Sequence, residues 1–254
     1  MSNKVLLFVV AGLDQRLTAV TPGLTTLGSF ACRKPFRPVW PAVTSVMQAT
    51  MTTGVLPEQH GIIANGFYAV NRPELHAHFD LSSFPEFRRQ VSFWEQSNTL
   101  LQAPRVWKEG GKQLRTAMLF WQNSMRGAAD VVITPKPVHT PDGKTLTACW
   151  SNPEDLYGSL VAKLGPFPLH TYWGPMGGLP STQWIIRAAA EVWAGDLADI
   201  NLVYIPLLDY NLQRFGPDHE SVKKDLAALD FELAPLITRA REEGARVAVC
   251  GDYT

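Results

Sequence analysis

Short apolar runs alternate with amphipathic segments along this chain, and that alternation limits its fold more than any other feature. Val5–Val10 is a continuous apolar run that ends at Ala-Gly, and similar runs occupy residues 116–121, 130–134, 202–206 and 246–250. Continuous apolar strands are typical of parallel sheets that are covered on both faces. The pattern therefore predicts an α/β fold with a mostly parallel sheet and helices on both faces.

Helix signals lie between the apolar runs. Thr44–Thr53 contains no helix breaker and is followed by Gly54, which predicts a helix with a glycine stop. The Thr21-Pro pair predicts the opening of a short helix, because proline favours the first helical position. Asn152 is expected to cap the helix that is predicted to begin at residue 153. Three longer helices are predicted at residues 153–164, 181–193 and 222–243, with a kink at Pro235 in the last.

Composition excludes several classes of protein. The chain has 254 residues, is 46% hydrophobic, and carries 23 basic and 23 acidic residues, so its net charge is zero. A neutral chain lacks the basic surface that a nucleic-acid duplex requires. No apolar run reaches membrane-spanning length. Its three cysteines, Cys32, Cys149 and Cys250, show no metal or disulfide spacing, which favours reduced thiols and a cytoplasmic location.

The length predicts one domain over residues 1–254, with insertions at residues 72–98 and 139–180. Only four residues follow the apolar run at 246–250, and a doubly wound sheet seldom ends there. We therefore expect the last strands of the sheet to be missing from this sequence. An uncovered edge at 246–250 would also favour an oligomer formed through a partner strand.

Polar residues at the carboxyl ends of predicted strands are the candidates for chemistry, since ligands bind there in open α/β sheets. Thr44 begins a helix, whose free N–H groups and dipole suit a phosphate, although a capping role also explains it. Asp209 and Asp252 follow two strands, and paired carboxylates fit a divalent-metal site. Taken singly, each aspartate is also explained as a loop cap.

Four segments resemble the type I phosphodiesterase/nucleotide pyrophosphatase branch of the alkaline phosphatase superfamily. The most specific is PAVTSVMQATMTTGVLPEQHGIIANGFY, which is similar to that family's nucleophile segment from Thr44 to Asn65. The others are VVAGLDQRLTAVTPGLTTL, YIPLLDYNLQRFGPD and VAVCGDYT, and all four occur in family order. The resemblance implies an alkaline-phosphatase-like fold.

The resemblance also implies roles for individual residues. Thr44 would attack phosphorus and carry a covalent intermediate, while Asn65 and the Thr44 N–H would stabilise charge on a non-bridging oxygen. Two zinc ions would activate Thr44 and bridge the substrate, with Asp209 in one metal site and Asp252 in the other. The implied reaction is hydrolysis of a phosphoester, phosphodiester or nucleotide.

Three positions depart from the family pattern. Ala11 stands where the first metal-binding aspartate is expected, and Gln213 and Tyr253 stand where histidines are expected. Asp14 and Gln213 are candidate substitute ligands, and a single ion on the two remaining aspartates is a further alternative. The departures support a second hypothesis from another class. In it, the chain is a non-catalytic relative that binds a phosphorylated metabolite or a protein partner.

Aromatic and histidine side chains complete the candidate set. Trp121 is the last residue of a predicted strand, and Tyr172 lies in a predicted loop. Both are candidates for stacking on a substrate, with core packing as the alternative explanation. His60 is expected to be structural. His76 and His78 form an H-x-H pair, which can bind a metal from a strand but is also explained as a solvated loop.

Overall fold

The structure, a computed structural model, describes residues 4–68, 91–92, 97–108, 114–136, 138–139 and 145–253. These residues contain ten strands and seven α-helices. The strands are β1 (Val5–Val10), β2 (Phe67–Tyr68), β3 (Val91–Ser92), β4 (Thr116–Leu119), β5 (Val131–Pro135), β6 (Val138–His139), β7 (Thr145–Leu146), β8 (Cys149–Asn152), β9 (Ile200–Ile205) and β10 (Arg246–Gly251). The helices are α1 (Gln15–Val20), α2 (Thr44–Thr53), α3 (Pro57–His60), α4 (Leu156–Leu164), α5 (Leu179–Ala194), α6 (Leu207–Phe215) and α7 (Glu220–Glu242).

Six strands form the main sheet, in the order β10–β1–β9–β4–β5–β8. Neighbouring strands from β10 to β5 pair in parallel, and β8 pairs antiparallel to β5 at the far edge. The predicted α/β class with a mostly parallel sheet is therefore confirmed. The antiparallel strand β8 is an addition that the sequence pattern did not predict, because its four residues alternate only weakly in polarity.

Two predicted elements agree with the structure at both ends. The apolar run forms β1, whose last three residues are fully buried. Helix α2 ends where Gly54 adopts a left-handed conformation with φ of 75° and its N–H donates to the Thr50 carbonyl. Glycine adopts this conformation at little cost, which explains why the helix stops there.

The prediction of a helix opening at Thr21 is wrong. Helix α1 instead precedes that residue, because the Asp14 carboxylate caps it by accepting the Leu17 N–H at 2.7 Å. Thr21 is extended, with φ of −100° and ψ of 109°. A following proline disfavours helical geometry at the residue before it, so Pro22 ends the helix rather than starting one.

Asn152 does not cap a helix, and that prediction is also wrong. It is the last residue of β8, and its side-chain amide donates to the Asp130 carbonyl at 2.7 Å. Helix α4 begins three residues later than the predicted start, at Leu156. The amide therefore fastens the edge strand to the turn before β5 instead of satisfying the helix N-terminus.

The two predicted insertions remain predictions. Most of residues 72–98 lies outside the described residues. Residues 139–180 include β8, which extends the main sheet, and α4, which contacts both β8 and α5. The second segment therefore adds an edge strand and a helix to the core of the fold.

Helix α7 supplies the longest apolar stripe in the core. The stripe predicted from helical spacing is buried throughout, and it consists of Leu226, Leu229, Leu233, Leu236 and Ile237. The helix continues through Pro235 and contacts α5, α6 and β10. Through these contacts α7 connects the helices α5 and α6 with the edge strand β10.

Asp230 on α7 is a buried carboxylate that organises a distant loop. It accepts hydrogen bonds from the backbone N–H groups of Thr25, Thr26 and Leu27 at 2.9, 3.1 and 2.6 Å, and from the Thr25 hydroxyl at 3.2 Å. Charged acceptors make strong hydrogen bonds, and buried N–H groups that lose them are costly. The loop that follows α1 is therefore held to the core by one side chain.

Strand β10 lies at the other edge of the sheet. It pairs with β1 on one side and has no further neighbour among the described strands. The predicted exposed edge at this strand is thus present, while a partner strand remains a prediction. None of the helices in the described part of the chain is long and apolar enough to cross a membrane.

Replacing Asp230 by alanine tests the loop anchor. The three backbone N–H groups would be left without their acceptor, so we expect the free energy of unfolding to fall by about 3 kcal/mol. Urea denaturation followed by circular dichroism measures this change. Glu242→Ala, an exposed acidic position on the same helix, should change stability by less than about 0.5 kcal/mol. Equal effects of the two substitutions would contradict the anchoring role.

Candidate active site

Three parallel strands bring the candidate residues to one edge of the sheet. Strand β1 lies between β10 and β9, so the segments that follow these three strands leave the sheet side by side. Asp252 follows β10, Ala11 follows β1, and Asp209 lies in the first turn of α6 after β9. All three positions lie at the carboxyl ends of parallel strands, where ligands bind in open α/β sheets.

Thr44 reaches the same site as the first residue of α2. Its side chain is nearly buried, at 2% exposure, and its hydroxyl lies 3.4 Å from the Tyr204 hydroxyl. The Ser45 N–H donates to the Asn65 side-chain oxygen at 2.8 Å, which places the Asn65 amide against the start of the helix. The first-turn N–H groups of a helix have no helical partner and carry partial positive charge, so this position suits an anionic group.

Asp252 is the most buried carboxylate of the site, with no exposed surface. One oxygen, Oδ1, accepts the Tyr253 N–H at 3.1 Å, and Oδ2 has no partner among the described residues. Burial and the nearby Asp209 carboxylate raise the pKa of Asp252 to about 7, while interactions with its own N–H, the Thr44 hydroxyl and the Tyr253 N–H act in the opposite direction. Near neutral pH this side chain is therefore partly protonated and partly ionised.

Asp209 and Gln213 form a pair one turn apart on α6. The Gln213 amide donates to Asp209 Oδ2 at 2.7 Å, and the Gln213 side chain is exposed. Asp209 also interacts with the Tyr253 hydroxyl and raises the pKa of that tyrosine, as does burial, so Tyr253 stays neutral. Gln213 and Tyr253, which depart from the family pattern, are therefore neutral groups next to the Asp209 and Asp252 carboxylates.

These donors do not fit a pair of zinc ions. Zinc sites use three or four nitrogen, sulfur or carboxylate ligands per ion. The described residues contain no cluster of three or more His, Cys, Asp or Glu side chains that could hold a metal. Ala11 is buried and offers no donor, and only Asp209 and Asp252 keep carboxylates in the expected places.

Asp14 is used elsewhere. It caps α1 and forms an ion pair with Arg16 at 3.2 Å. It also lines a cleft of about 610 Å³ that runs along β10, together with Tyr253 and Cys32. A role as a substitute metal ligand would require Asp14 to give up its cap, and that role remains a prediction.

The two aromatic candidates lie in the core. Trp121 is fully buried at the end of β4, and Tyr172 is 1% exposed. Tyr172 packs in tilted and edge-on contacts against Phe120, Phe167 and Trp173, with ring centroids 5.1 to 5.6 Å apart. Substrate contact by either residue remains a prediction, and in this structure both occupy the positions of core aromatics.

His60 has the structural surroundings expected of it. Its ring bridges the Thr50 hydroxyl, at 3.0 Å from Nε2, and the Ile62 N–H, at 3.1 Å from Nδ1. Burial lowers the pKa of His60, which keeps the ring neutral. The contacts join α2 to the loop that carries Asn65. His76 and His78 lie outside the described residues.

Tyr204 is the site residue that the sequence did not single out. It lies in β9 opposite Val9 of β1, is 1% exposed, and places its hydroxyl beside Thr44. The available signal was a single tyrosine within the apolar run predicted at residues 202–206, next to the strand end. A phenol there must find a buried partner for its hydroxyl.

The fold is similar to that of two solved structures. Phosphonoacetate hydrolase from Sinorhizobium meliloti, solved with phosphonoacetate, superimposes with a TM-score of 0.59 at 15% identity, covering 99% of this chain and 56% of that chain. An inactive variant of murine ectonucleotide pyrophosphatase/phosphodiesterase 5, solved with AMP, gives a TM-score of 0.53 at 15% identity over 98% of this chain and 56% of its own. The alkaline-phosphatase-like α/β fold is thereby established.

The family follows from the sequence match. The model of the type I phosphodiesterase/nucleotide pyrophosphatase family matches residues 5–254, so the chain belongs to that family. Venom phosphodiesterase 2 of Crotalus adamanteus is 36% identical over 102 residues, which are 40% of this chain and 11% of that protein. An uncharacterised pyrophosphatase/phosphodiesterase of Schizosaccharomyces pombe is 28% identical over 110 residues, 42% of this chain and 21% of that protein. The chain thus matches a minor part of these curated relatives and about half of the solved chains.

The pH dependence of stability tests the burial of Asp252. Because folding raises its pKa from 3.8 to about 7, the folded state keeps a proton that the unfolded state loses, and stability falls as pH rises between these values. Asp252→Asn should raise the free energy of unfolding by up to about 4 kcal/mol at about pH 8 and change it little near pH 4. Urea denaturation with a chelator present measures this difference.

The matched control for that experiment is Asp218→Asn, at an exposed aspartate after α6. Its effect should stay within about 0.5 kcal/mol at every pH. If Asp252→Asn retained the pH dependence of the wild type, the carboxylate would have to be ionised as freely as in water.

Proposed function

We propose that this chain hydrolyses phosphoesters or phosphodiesters, nucleotides among them, with the Thr44 hydroxyl as the nucleophile. The observation that carries the proposal is the position of Thr44. It begins α2, and its hydroxyl lies 3.4 Å from the hydroxyl of Tyr204 on β9, in a chain of this family. The oxygens of a phosphate bound there would meet the first-turn N–H groups of α2.

The residues support a two-step displacement. The Thr44 oxygen attacks phosphorus, a P–O ester bond breaks, and the alcohol or nucleoside part leaves with a proton. In this proposal ionised Asp252 receives the Thr44 proton and passes it to the departing oxygen, a role supported by the Asp252 Oδ2 atom, which has no hydrogen-bond partner among the described residues. Water then attacks the phosphorylated threonine, and inorganic phosphate or a monoester departs as Thr44 is restored. Asn65 and the helix N–H groups stabilise charge on the phosphoryl oxygens in both steps.

Two related structures support the substrate class. One contains phosphonoacetate and the other contains AMP, and both ligands present a tetrahedral anionic phosphorus group. We therefore propose a small molecule with such a group as the substrate. Any divalent ion that assists would bind at Asp252 and Asp209, where the orphan carboxylate oxygen lies. Zinc is the ion that the family resemblance suggests.

A second candidate function rests on the replaced ligand positions. Ala11, Gln213 and Tyr253 supply no strong metal ligand, which supports a non-catalytic relative that binds a phosphorylated metabolite or a protein partner. The helix N-terminus and Asn65 would still hold a phosphate in such a protein. Titration of the wild type with AMP in the presence of a chelator distinguishes binding without turnover from no recognition.

Thr44→Ala tests the hydrolase directly. Turnover of a chromogenic phosphodiester should fall at least about 1,000-fold, because the nucleophile is lost. Initial rates are measured together with the metal content of the same preparation by elemental analysis. Thr44→Ser keeps a hydroxyl and should retain activity within about 100-fold of the wild type.

Thr53→Ala is the matched control, since Thr53 lies on the same helix and its hydroxyl donates to the Ala49 carbonyl. Its turnover should match that of the wild type. Equal turnover by the wild type and Thr44→Ala would exclude Thr44 as the nucleophile. Metal-free protein that binds AMP without hydrolysing it would favour the non-catalytic function.

A further inference from the structure

Tyr204 is buried beside Thr44 and has a role that the proposed reaction does not by itself assign. Tyr204 belongs to strand β9, which lies between β1 and β4 in the sheet. Its hydroxyl lies 3.4 Å from the Thr44 hydroxyl. A buried phenol that lacks a hydrogen-bond partner is costly, so this contact is favoured for Tyr204 as well as for Thr44.

The Tyr204 hydroxyl is protonated and can therefore donate to the Thr44 hydroxyl, although either oxygen can be the donor in this contact. Burial raises the pKa of Tyr204 well above its usual value, and the Asp252 carboxylate, Tyr253 and Tyr172 raise it further. The phenol is therefore neutral at any physiological pH and keeps a proton to donate. A threonine hydroxyl has one proton and two acceptor lone pairs, so it can accept from Tyr204 and donate elsewhere.

The remaining acceptor beside Thr44 is Asp252. Its Oδ2 atom has no hydrogen-bond partner among the described residues. Thr44 is also the first residue of α2, so no preceding helical carbonyl is available to its hydroxyl. Within a helix, threonine divides between two rotamers because such carbonyls accept from it. At this position the tertiary contacts must select the rotamer.

We infer that Tyr204 is a positioning residue that holds Thr44 in one side-chain rotamer through the contact between their two hydroxyl groups. The inference deepens the proposed function, on which its catalytic consequence rests. When the nucleophile is already held in its reactive orientation, the activation free energy does not include the entropic cost of ordering its side chain.

The rotamer of Thr44 is measurable without turnover. Three-bond couplings to the ¹³C-labelled threonine methyl groups report χ1, and the Thr44 signal is assigned by its absence in Thr44→Ala. We expect a single rotamer in the wild type and averaged couplings in Tyr204→Phe. Tyr157→Phe is the matched control, because it removes a hydroxyl that also makes a 3.4 Å hydrogen bond, to the Phe167 N–H. Its Thr44 couplings should equal those of the wild type, and unchanged couplings in Tyr204→Phe would overturn the inference.

Thr44→Val tests the same bond from the other side if Tyr204→Phe does not fold. With ¹³Cζ-labelled tyrosine in mixed H₂O and D₂O, a slowly exchanging Tyr204 hydroxyl gives a split resonance. The splitting should collapse in Thr44→Val as exchange accelerates. A Tyr204 signal that is identical in both proteins would mean that Thr44 is not its partner.

Kinetics give the catalytic consequence. Where turnover depends on Thr44, Tyr204→Phe should lower kcat about five- to tenfold and leave KM within about twofold, as for loss of one hydrogen bond. An unchanged kcat would overturn the catalytic part of the inference. If the wild type shows no Thr44-dependent turnover, the proposed function fails, and the couplings alone decide the role of Tyr204.

Discussion

The parallel pairing of β1 with both β9 and β10 is the interaction on which the site depends. Val9 lies opposite Tyr204 on one side and opposite Cys250 on the other. Residues about 200 and about 240 positions apart therefore lie at the same level of the sheet. Only parallel strands deliver all their carboxyl ends to one edge, so antiparallel pairing of either neighbour would carry Asp252 or Asp209 to the opposite side of the sheet. Burial of β1 on both faces makes that pairing strong.

Local signals allowed much of this arrangement to be predicted, and tertiary contacts account for the rest. The strand β1 and the helix α2 follow from runs of residues with a clear period and a glycine stop. The strand β8 and the hydroxyl pair of Tyr204 and Thr44 depend on partners in other elements of the fold. A side chain whose function is set by such a partner leaves no periodic signal, and Tyr204 is the clearest example.

A buried polar network along α2 also depends on residues that are distant in sequence, so local sequence patterns do not predict it. Gln48, one turn along α2, accepts the Gln122 N–H at 2.7 Å, and the guanidinium of Arg105 donates to the Thr52 hydroxyl and to the Asn123 carbonyl. Burial lowers the pKa of Arg105 to about 9. The turn that these bonds hold includes residues with positive φ, 62° at Phe120 and 50° at Asn123. Strained turns of this kind persist only where surrounding contacts determine them, and here those contacts also fix the rotation of α2 beneath Thr44.

The replaced ligand positions change the charge of the site as well as its affinity for metals. Two carboxylates and a phosphate repel one another unless cations or protons compensate. With Ala11 and the neutral Gln213 and Tyr253 in place, the burial that raises the pKa of Asp252 to about 7 makes a proton available for that purpose. In the functions proposed above, a protonated Asp252 would favour the binding of an anionic phosphate beside Thr44, whereas an ionised Asp252 would accept the Thr44 proton during hydrolysis. The protonation state of this one carboxyl group would therefore favour one proposed function over the other.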